Sequence, residues 1–368
     1  MAQQDMSVRK VPAARVREQI ASILTAWGMA PAQVAITANV MVETDLWGVD
    51  SHGVSMLMMY EAMKHEGRLN VHAQPRVLDR GAVTARIDGD AGLGHPVAWQ
   101  GMELAVEMAL AAGLGAVTVF NSHHFGAAGV YAKLASDRGC VGVVTSTSRT
   151  VAVLPTFGAE PVLGTNPIAI AAPATRNRPF LLDIATSAVA LNKVKVYDFY
   201  GKPIPAGWVS DGDGKPVTDA AQALAICRAS SAGGLNPVGG TRELGSHKGY
   251  GLGVVAQILA GAMAGGSFSP LRDRDLAPDQ PYNIGHFFLA INPAFFRPGG
   301  EFGDEVDEVI DVLHGTRAAD PAQPVLVAGD PEAATRAQRE RDGIPIPAPL
   351  ADSVRAIAQR AGVACVLD

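Results

Sequence analysis

Cysteine is scarce: Cys140, Cys227 and Cys365 are the only three in 368 residues, far apart and odd in number. That excludes a disulfide framework and a zinc finger, and it fits free thiols in a reducing compartment. Aromatic residues make up only 6%, the net charge is -6, and no basic stripe with interleaved aromatics occurs, so nucleic acid is not an expected partner. Long apolar runs are missing too. The most hydrophobic helix candidate, 249–264, carries several glycines and is too short to span a membrane. The first ten residues, MAQQDMSVRK, lack the apolar core of a secretory signal, so a cytoplasmic chain is expected. There is no His-Glu-x-x-His, hence no expected catalytic metal, and no internal repeat. What is present is ordinary globular material, 48% hydrophobic and 18% charged, long enough for two or three packed units.

The patterning divides the chain. Residues 12–27 and 31–47 carry apolar positions at helical spacing, each opening at a proline and ending at Gly28 or Gly48. A third helix is expected from Ser51 to His65, with Ser51 as its N-cap and His52 on its first turn. Beyond residue 75 the period changes. Strands are expected at Arg76–Leu78, Val83–Ile87, Gly115–Phe120, Cys140–Val144, Ile168–Ala172 and Phe180–Leu182. Helices are expected at His95–Ala112, Ala127–Arg138 and about Thr186–Tyr197. From 302 the chain turns helical again, interrupted by one expected strand at Pro324–Ala328. The expectation is an α/β protein in which a helical unit built from both chain ends, 1–75 with 302–368, packs beside a mixed α/β unit, 76–301.

Several short segments could carry chemistry. Asp50-Ser-His-Gly53 puts an imidazole at a bend, and an imidazole exchanges protons near neutrality. Asn121-Ser-His-His-Phe-Gly126 follows a buried strand, a place where mixed sheets hold ligands. Its two histidines, His123 and His124, could be an acid/base group, a metal pair or capping residues, but adjacent residues point in different directions, so joint ligation of one ion is not expected. Gly164-Thr165-Asn166-Pro167 is a rigid turn with exposed donors, able to hold phosphate or amide groups. Asp183, ending a buried strand, is a natural partner for a histidine nitrogen or an N-cap for the next helix. Gly245–Gly253 opens an apolar helix. Ser246 stands where a phosphate-binding P-loop needs lysine, and a polar turn precedes the near-fingerprint at Gly251, so both motifs fail. The positive end of the helix with Lys248 beside it remains an anion site. Asp211-Gly-Asp-Gly-Lys215 reads as a tight turn, because Lys215 occupies what a calcium loop needs as a ligand.

Taken in order, these landmarks resemble the malate/L-lactate dehydrogenase-type oxidoreductases, a family distinct from the Rossmann lactate and malate dehydrogenases. It also contains ureidoglycolate, L-sulfolactate and diketogulonate dehydrogenases and the piperideine- and pyrroline-2-carboxylate reductases. The matching segments are 50–53, 121–126, 164–167, 182–187, 247–251 and 285–293, and the resemblance runs from about 12 to 365. It implies a non-Rossmann nicotinamide-binding fold, NAD or NADP as cofactor, and a homodimer with the site near the subunit interface. Carried over, His52 is a proton donor and acceptor with Ser51 and Asp183 as relay partners, and His124 is the second family histidine. Ser148, Thr165, Asn166, Asp183, Ile184, Ala185, Lys248 and Gly249 are expected at the cofactor, with Gly329-Asp330 as a late loop touching it.

Two positions depart from the family. Many members have arginine at the places of Trp47 and Met56, and the second is expected to hold the substrate carboxylate. A methionine cannot pair with a carboxylate. Arg149 is the candidate substitute, and Met56 and Tyr60 are expected to face the substrate. The expected reaction is reversible hydride transfer to the carbon of a 2-oxo acid (or, alternatively, a cyclic imine), with a histidine supplying the proton. A non-catalytic ligand-binding member is another alternative. A Ser51-His52-Asp183 hydrolase is a rival without the Gly-x-Ser-x-Gly elbow it would need.

Overall fold

A computed structural model describes residues 8–271, 277 and 279–367. The N-terminal pattern folds as read: α1 spans Ala13–Ala26 and α2 spans Pro31–Leu46, each turning off at a glycine with positive φ. The third helix is shorter than its pattern. A 3₁₀ turn, Val54–Met56, leads into α3, Leu57–His65. An unbroken apolar cluster joins Val16, Ile20, Ile23, Met41, Leu57 and Tyr60 to Ile344, Val354 and Ile357 near the other chain end. Strand β1, Val8–Val11, pairs antiparallel with Ile344–Pro347 and ties the two ends together.

The central element is a seven-stranded mixed sheet. Its strands are β2 (Arg76–Arg80), β3 (Thr84–Gly92), β4 (Leu114–Ser122), β5 (Val141–Ser146), β6 (Ile168–Ala172), β7 (Phe180–Ile184) and the late strand Ile284–Ile291. That late strand inserts between β4 and β5, antiparallel to both, and only β3 and β4 run parallel. The helices α4 (Gly94–Ala112) and α5 (Ala128–Ser136) press closely on the sheet. Gly115 and Gly142 make this possible: a Cβ on either would meet the Ala105 or the Ala132 carbonyl oxygen at 2.0 or 2.6 Å. Phe288 meets Gly101 of α4, while Gly285, of opposite parity, lies under Ala260 on the other face. Ala260 belongs to a π-helical segment, Gln257–Met263, that continues the helix Ser246–Ala256.

Two expected elements need correction. Pro324–Ala328 is not a strand; it reaches β7 by the single bond from the Leu181 N–H to the Ala328 carbonyl. The helix expected from Thr186 begins at Leu191. The helix Phe302–His314 lies against the 175–177 turn, where the Asp307 carboxylate accepts the backbone N–H groups of Thr175, Arg176 and Asn177.

The topology fixes where a site can be. With β4 and β7 running one way and β6 and the late strand the other, one end of the sheet collects the exits of β3, β4, β5 and β7 and the entries of β6 and Ile284–Ile291. Those ends carry His95, Asn121–Gly126, Ser148-Arg149, Gly164–Pro167, Asp183–Ala185 and Tyr282.

Candidate active site

His52 is held by its own turn. It sits before the 3₁₀ segment, not on the first turn of a helix, and Ser51 does not cap the helix: its Oγ lies 2.7 Å from His52 Nδ1. The cap comes from further back. The buried Asp45 carboxylate accepts the Val54 N–H at 2.8 Å and fills the space above Gly53, where a Cβ would meet it at 1.8 Å. Arg339, from the helix Asp330–Asp342, donates to the Asp45 carbonyl at 2.6 Å and to the Asp50 carboxylate. Burial pushes the Asp45 carboxyl up to about 8, with the Val54 N–H and Arg339 pulling the other way. Ser51 thus reaches His52, but Asp183 does not: the Asp183 carboxylate accepts the Gly129 N–H at 2.7 Å at the start of α5. A Ser-His-Asp triad is therefore not assembled, and Asp183 is no direct relay partner. Burial, together with Glu332, carries the Asp183 carboxyl to about 6, against the Gly129 N–H that holds it down.

His124 faces His52, ring centroids 5.2 Å apart, and both residues are half-buried. Its support comes from other elements. The Tyr60 hydroxyl of α3 stands 2.7 Å from His124 Nδ1 and 3.5 Å from Nε2 of His95, at the start of α4. Tyr60 has no exposed surface, so this hydroxyl is committed to histidine nitrogens and does not line an open substrate face. Met56 packs, half-buried, against the helical core. Burial first, then the charges of His52, His95, His286 and Arg149, holds the His124 imidazole well below its usual range. His123 points away, its Nε2 3.0 Å from the Arg68 carbonyl and its ring against Tyr282. The Arg149 guanidinium lies over the Tyr282 ring, 5.4 Å from its centroid.

The expected cofactor positions are knitted into one wall, except Gly329 and Asp330, which lie toward the start of β7. Thr186 donates its N–H to the Thr165 carbonyl and its hydroxyl to the Thr165 and Asn166 carbonyls. Asn166 Nδ2 donates to the Gly253 carbonyl at 3.1 Å, tying the Gly164–Pro167 turn to the helix that Lys248 opens. Gly249 lets that helix touch Val238, whose carbonyl oxygen would meet a Cβ at 2.1 Å. The Ser148 carbonyl accepts from Ser269. Ile184 ends β7 and Ala185 comes directly after it, both half-buried. Gly329 packs lower along that strand, beside Leu181. The Asp330 carboxylate is engaged with His314 Nε2 at 2.7 Å and the Val327 N–H, on the wall of a cavity of about 210 Å³ with Arg178 and Phe180. Among the described residues, no group of three or more His, Cys, Asp or Glu is arranged to hold a metal ion, and no helix is long and apolar enough to cross a membrane.

Similarity to known proteins decides the family. The sequence profile of the malate/L-lactate dehydrogenase family matches residues 11–355. The chain belongs to that family. It is 38% identical to a malate dehydrogenase of Pyrococcus horikoshii, over 98% of this chain and 97% of the relative. It is 34% identical to an L-sulfolactate dehydrogenase of Methanocaldococcus jannaschii, over 94% and 96%. The crystal structure of a malate dehydrogenase from Entamoeba histolytica superposes with a TM-score of 0.90 at 30% identity, covering 97% of this chain and 99% of that one. The fold is therefore the non-Rossmann fold of these dehydrogenases.

Sequence reading missed the supports of this oxidoreductase's site. Asp45 and Arg339, nearly 300 positions apart, clamp the His52 turn, and nothing local announces Arg339. His286 stacks on Phe125 (centroids 4.6 Å apart) with Nδ1 on Ser146 and Nε2 on Ser122, bracing the His124 loop across three strands. Burial pushes both His286 and His95 down to about 3. The local signal for this brace is the Gly-His pair at 285–286, a polar ring at the head of an otherwise apolar strand.

Proposed function

We propose that this oxidoreductase catalyses reversible hydride transfer between nicotinamide, as NAD or NADP, and a small 2-oxo acid/2-hydroxy acid pair, with His124 as proton donor and acceptor. The observation that carries the reading is the pair of half-buried imidazoles 5.2 Å apart, at the sheet end where Arg149, Gly164–Pro167 and Asp183–Ala185 converge. Family membership supports the hydroxy-acid chemistry.

The residues present fit a nicotinamide dinucleotide. Asn166 Oδ1 is buried without a hydrogen-bond partner, an acceptor ready for an amide N–H. The helix beginning at Ser246 offers its positive end, and Lys248 stands exposed on its first turn, suited to a diphosphate. Ser148, Thr165, Asp183 to Ala185 and Gly249 line the same wall. When bound, the cofactor supplies or accepts the hydride. Everything else falls to side chains. Arg149, close enough for its charge to lower the His124 pKa, serves as the cation for the substrate carboxylate in place of the arginine that Met56 replaces. His124 moves the proton at the substrate oxygen. His52, oriented by Ser51, hydrogen-bonds the substrate from the other side.

The same reading makes the protein a cytoplasmic homodimer. The apolar side chains of Leu252, Val255, Ile258 and Met263, exposed along the 246–263 helix, support a subunit contact there. The test is oxidation of NADH and NADPH against a panel of 2-oxo acids, 2-oxo amides and cyclic imines. Turnover is expected with 2-oxo acids. Turnover confined to cyclic imines would move the assignment to a carbon–nitrogen reductase, and none across the panel would remove it.

A further inference from the structure

We propose that Tyr60 and His95 act as positioning residues that lock His124 in the tautomer carrying its proton on Nε2, so that the site at rest presents a hydrogen-bond donor to the substrate. The proposal rests on His124 being the proton-transfer group.

Tyr60 and His95 have no exposed surface and come from different helices, yet both converge on the back of the His124 ring. A buried tyrosine hydroxyl must find a partner, and its two neighbours are His124 Nδ1 at 2.7 Å and His95 Nε2 at 3.5 Å. The chain of bonds can run in two directions. In one, His95 Nε2–H donates to the Tyr60 oxygen, and the Tyr60 hydroxyl donates to His124 Nδ1. The His124 proton is then on Nε2, and His95 Nδ1 is a bare lone pair. In the other, His124 Nδ1–H donates to Tyr60 and the Tyr60 hydroxyl donates to His95 Nε2. His95 Nδ1 must then carry a proton.

That atom decides the direction. His95 Nδ1 is buried with no hydrogen-bond partner. A buried N–H without a partner is rarer in proteins than an under-used acceptor, so the first direction is favoured. The shorter of the two contacts, on His124, is also the one in which the hydroxyl donates. A donor at His124 Nε2 suits the oxo oxygen of a 2-oxo acid better than the hydroxyl proton of the reduced partner. The resting enzyme therefore favours binding the oxo form.

The test is ¹⁵N NMR of the histidine side chains in the full-length protein, with His124 assigned by the His124→Gln variant. His124 should show the Nε2–H tautomer in the wild type and a mixture in Tyr60→Phe. His95→Gln, which keeps a donor toward Tyr60, should preserve the tautomer, and His95→Leu should lose it. Turnover in Tyr60→Phe should fall by about 10- to 100-fold, as for other residues that orient a catalytic imidazole, with the cofactor KM unchanged. An Nδ1–H tautomer in the wild type, or a tautomer indifferent to Tyr60→Phe, overturns the proposal. If the tautomer behaves as stated while His124→Gln keeps full turnover, the lock stands and the proton-transfer role of His124 falls.

Discussion

His52 and His124 face each other across 5.2 Å and are held from different parts of the chain. The His52 turn is fixed through its backbone: Asp45 on the Val54 N–H, Arg339 on the Asp45 carbonyl, and no room for a side chain at Gly53. Its ring then needs only its neighbour Ser51. The His124 ring is fixed by side chains brought from α3 and α4, with His286 bracing Phe125 behind it, and the His124 carbonyl accepts the Gly94 N–H at 3.0 Å. A histidine held by its turn keeps its place whatever its charge. A histidine held by hydrogen bonds to its ring has its protonation state set by those bonds. Both rings have a hydroxyl 2.7 Å from Nδ1, but that of His52 comes from its neighbour Ser51 and that of His124 from the fully buried Tyr60, and on that difference we propose proton transfer for His124 and the orienting role for His52.

The largest effect should come from replacing the ring proposed to move the proton. His124→Gln should lower kcat by about 10³-fold, within the range for lost acid–base catalysis. Its thermal midpoint should stay near the wild type, as calorimetry can check. Next is the backbone clamp. Gly53→Ala drives a methyl into the Asp45 carboxylate and breaks its bond to Val54, and should cost about 2–4 kcal/mol of stability in urea unfolding. Wild-type stability in that variant would mean the turn is not clamped as described. Arg149→Met should raise the KM for a 2-oxo acid by about 10- to 100-fold while leaving the cofactor KM alone. It should also move the limb of the pH profile that reports His124 upward, because the Arg149 charge is one of the influences depressing that imidazole. An unchanged KM would return the search for the carboxylate anchor to other cations.

The smallest effect is a slope. Asp45 is raised to about 8 in the folded protein from 3.8. Between those values the folded state holds a proton that the unfolded state has lost, so Asp45 makes stability fall as pH rises through that window. Asp45→Asn keeps an acceptor for Val54 and removes the titration. Its midpoint relative to the wild type should therefore be higher at pH 8 than at pH 5. A constant difference across that range would show that Asp45 stays charged on folding.

The sheet and the first two helices were legible because their signals are local. Prolines and glycines bound the helices, and the β-branched content of runs such as 115–120 favours buried strands. Some of the expected site segments share a local signal: Asn121–Gly126, Gly164–Pro167 and Asp183 lie at strand ends, in short polar stretches between apolar ones. What sequence could not supply was pairing across distance. Asp183 has the right chemistry for a histidine partner, but the start of α5 comes closer and takes it through Gly129. From the sequence, Tyr60 is expected to face the substrate. In the fold its buried hydroxyl stands 2.7 Å from His124 Nδ1 instead. Pro324–Ala328 is apolar enough for a strand, yet it finds only one carbonyl-to-amide bond at the sheet edge.

The most direct measurement compares His52→Gln and His124→Gln, both checked for native folding by circular dichroism, in oxidation of NADH or NADPH by the best 2-oxo acid from the panel. His124→Gln should lose about 10³-fold in kcat, while His52→Gln should lose less and show its effect mainly in the substrate KM. The reverse pattern, with kcat lost in His52→Gln and retained in His124→Gln, would contradict the assignment of proton transfer to His124.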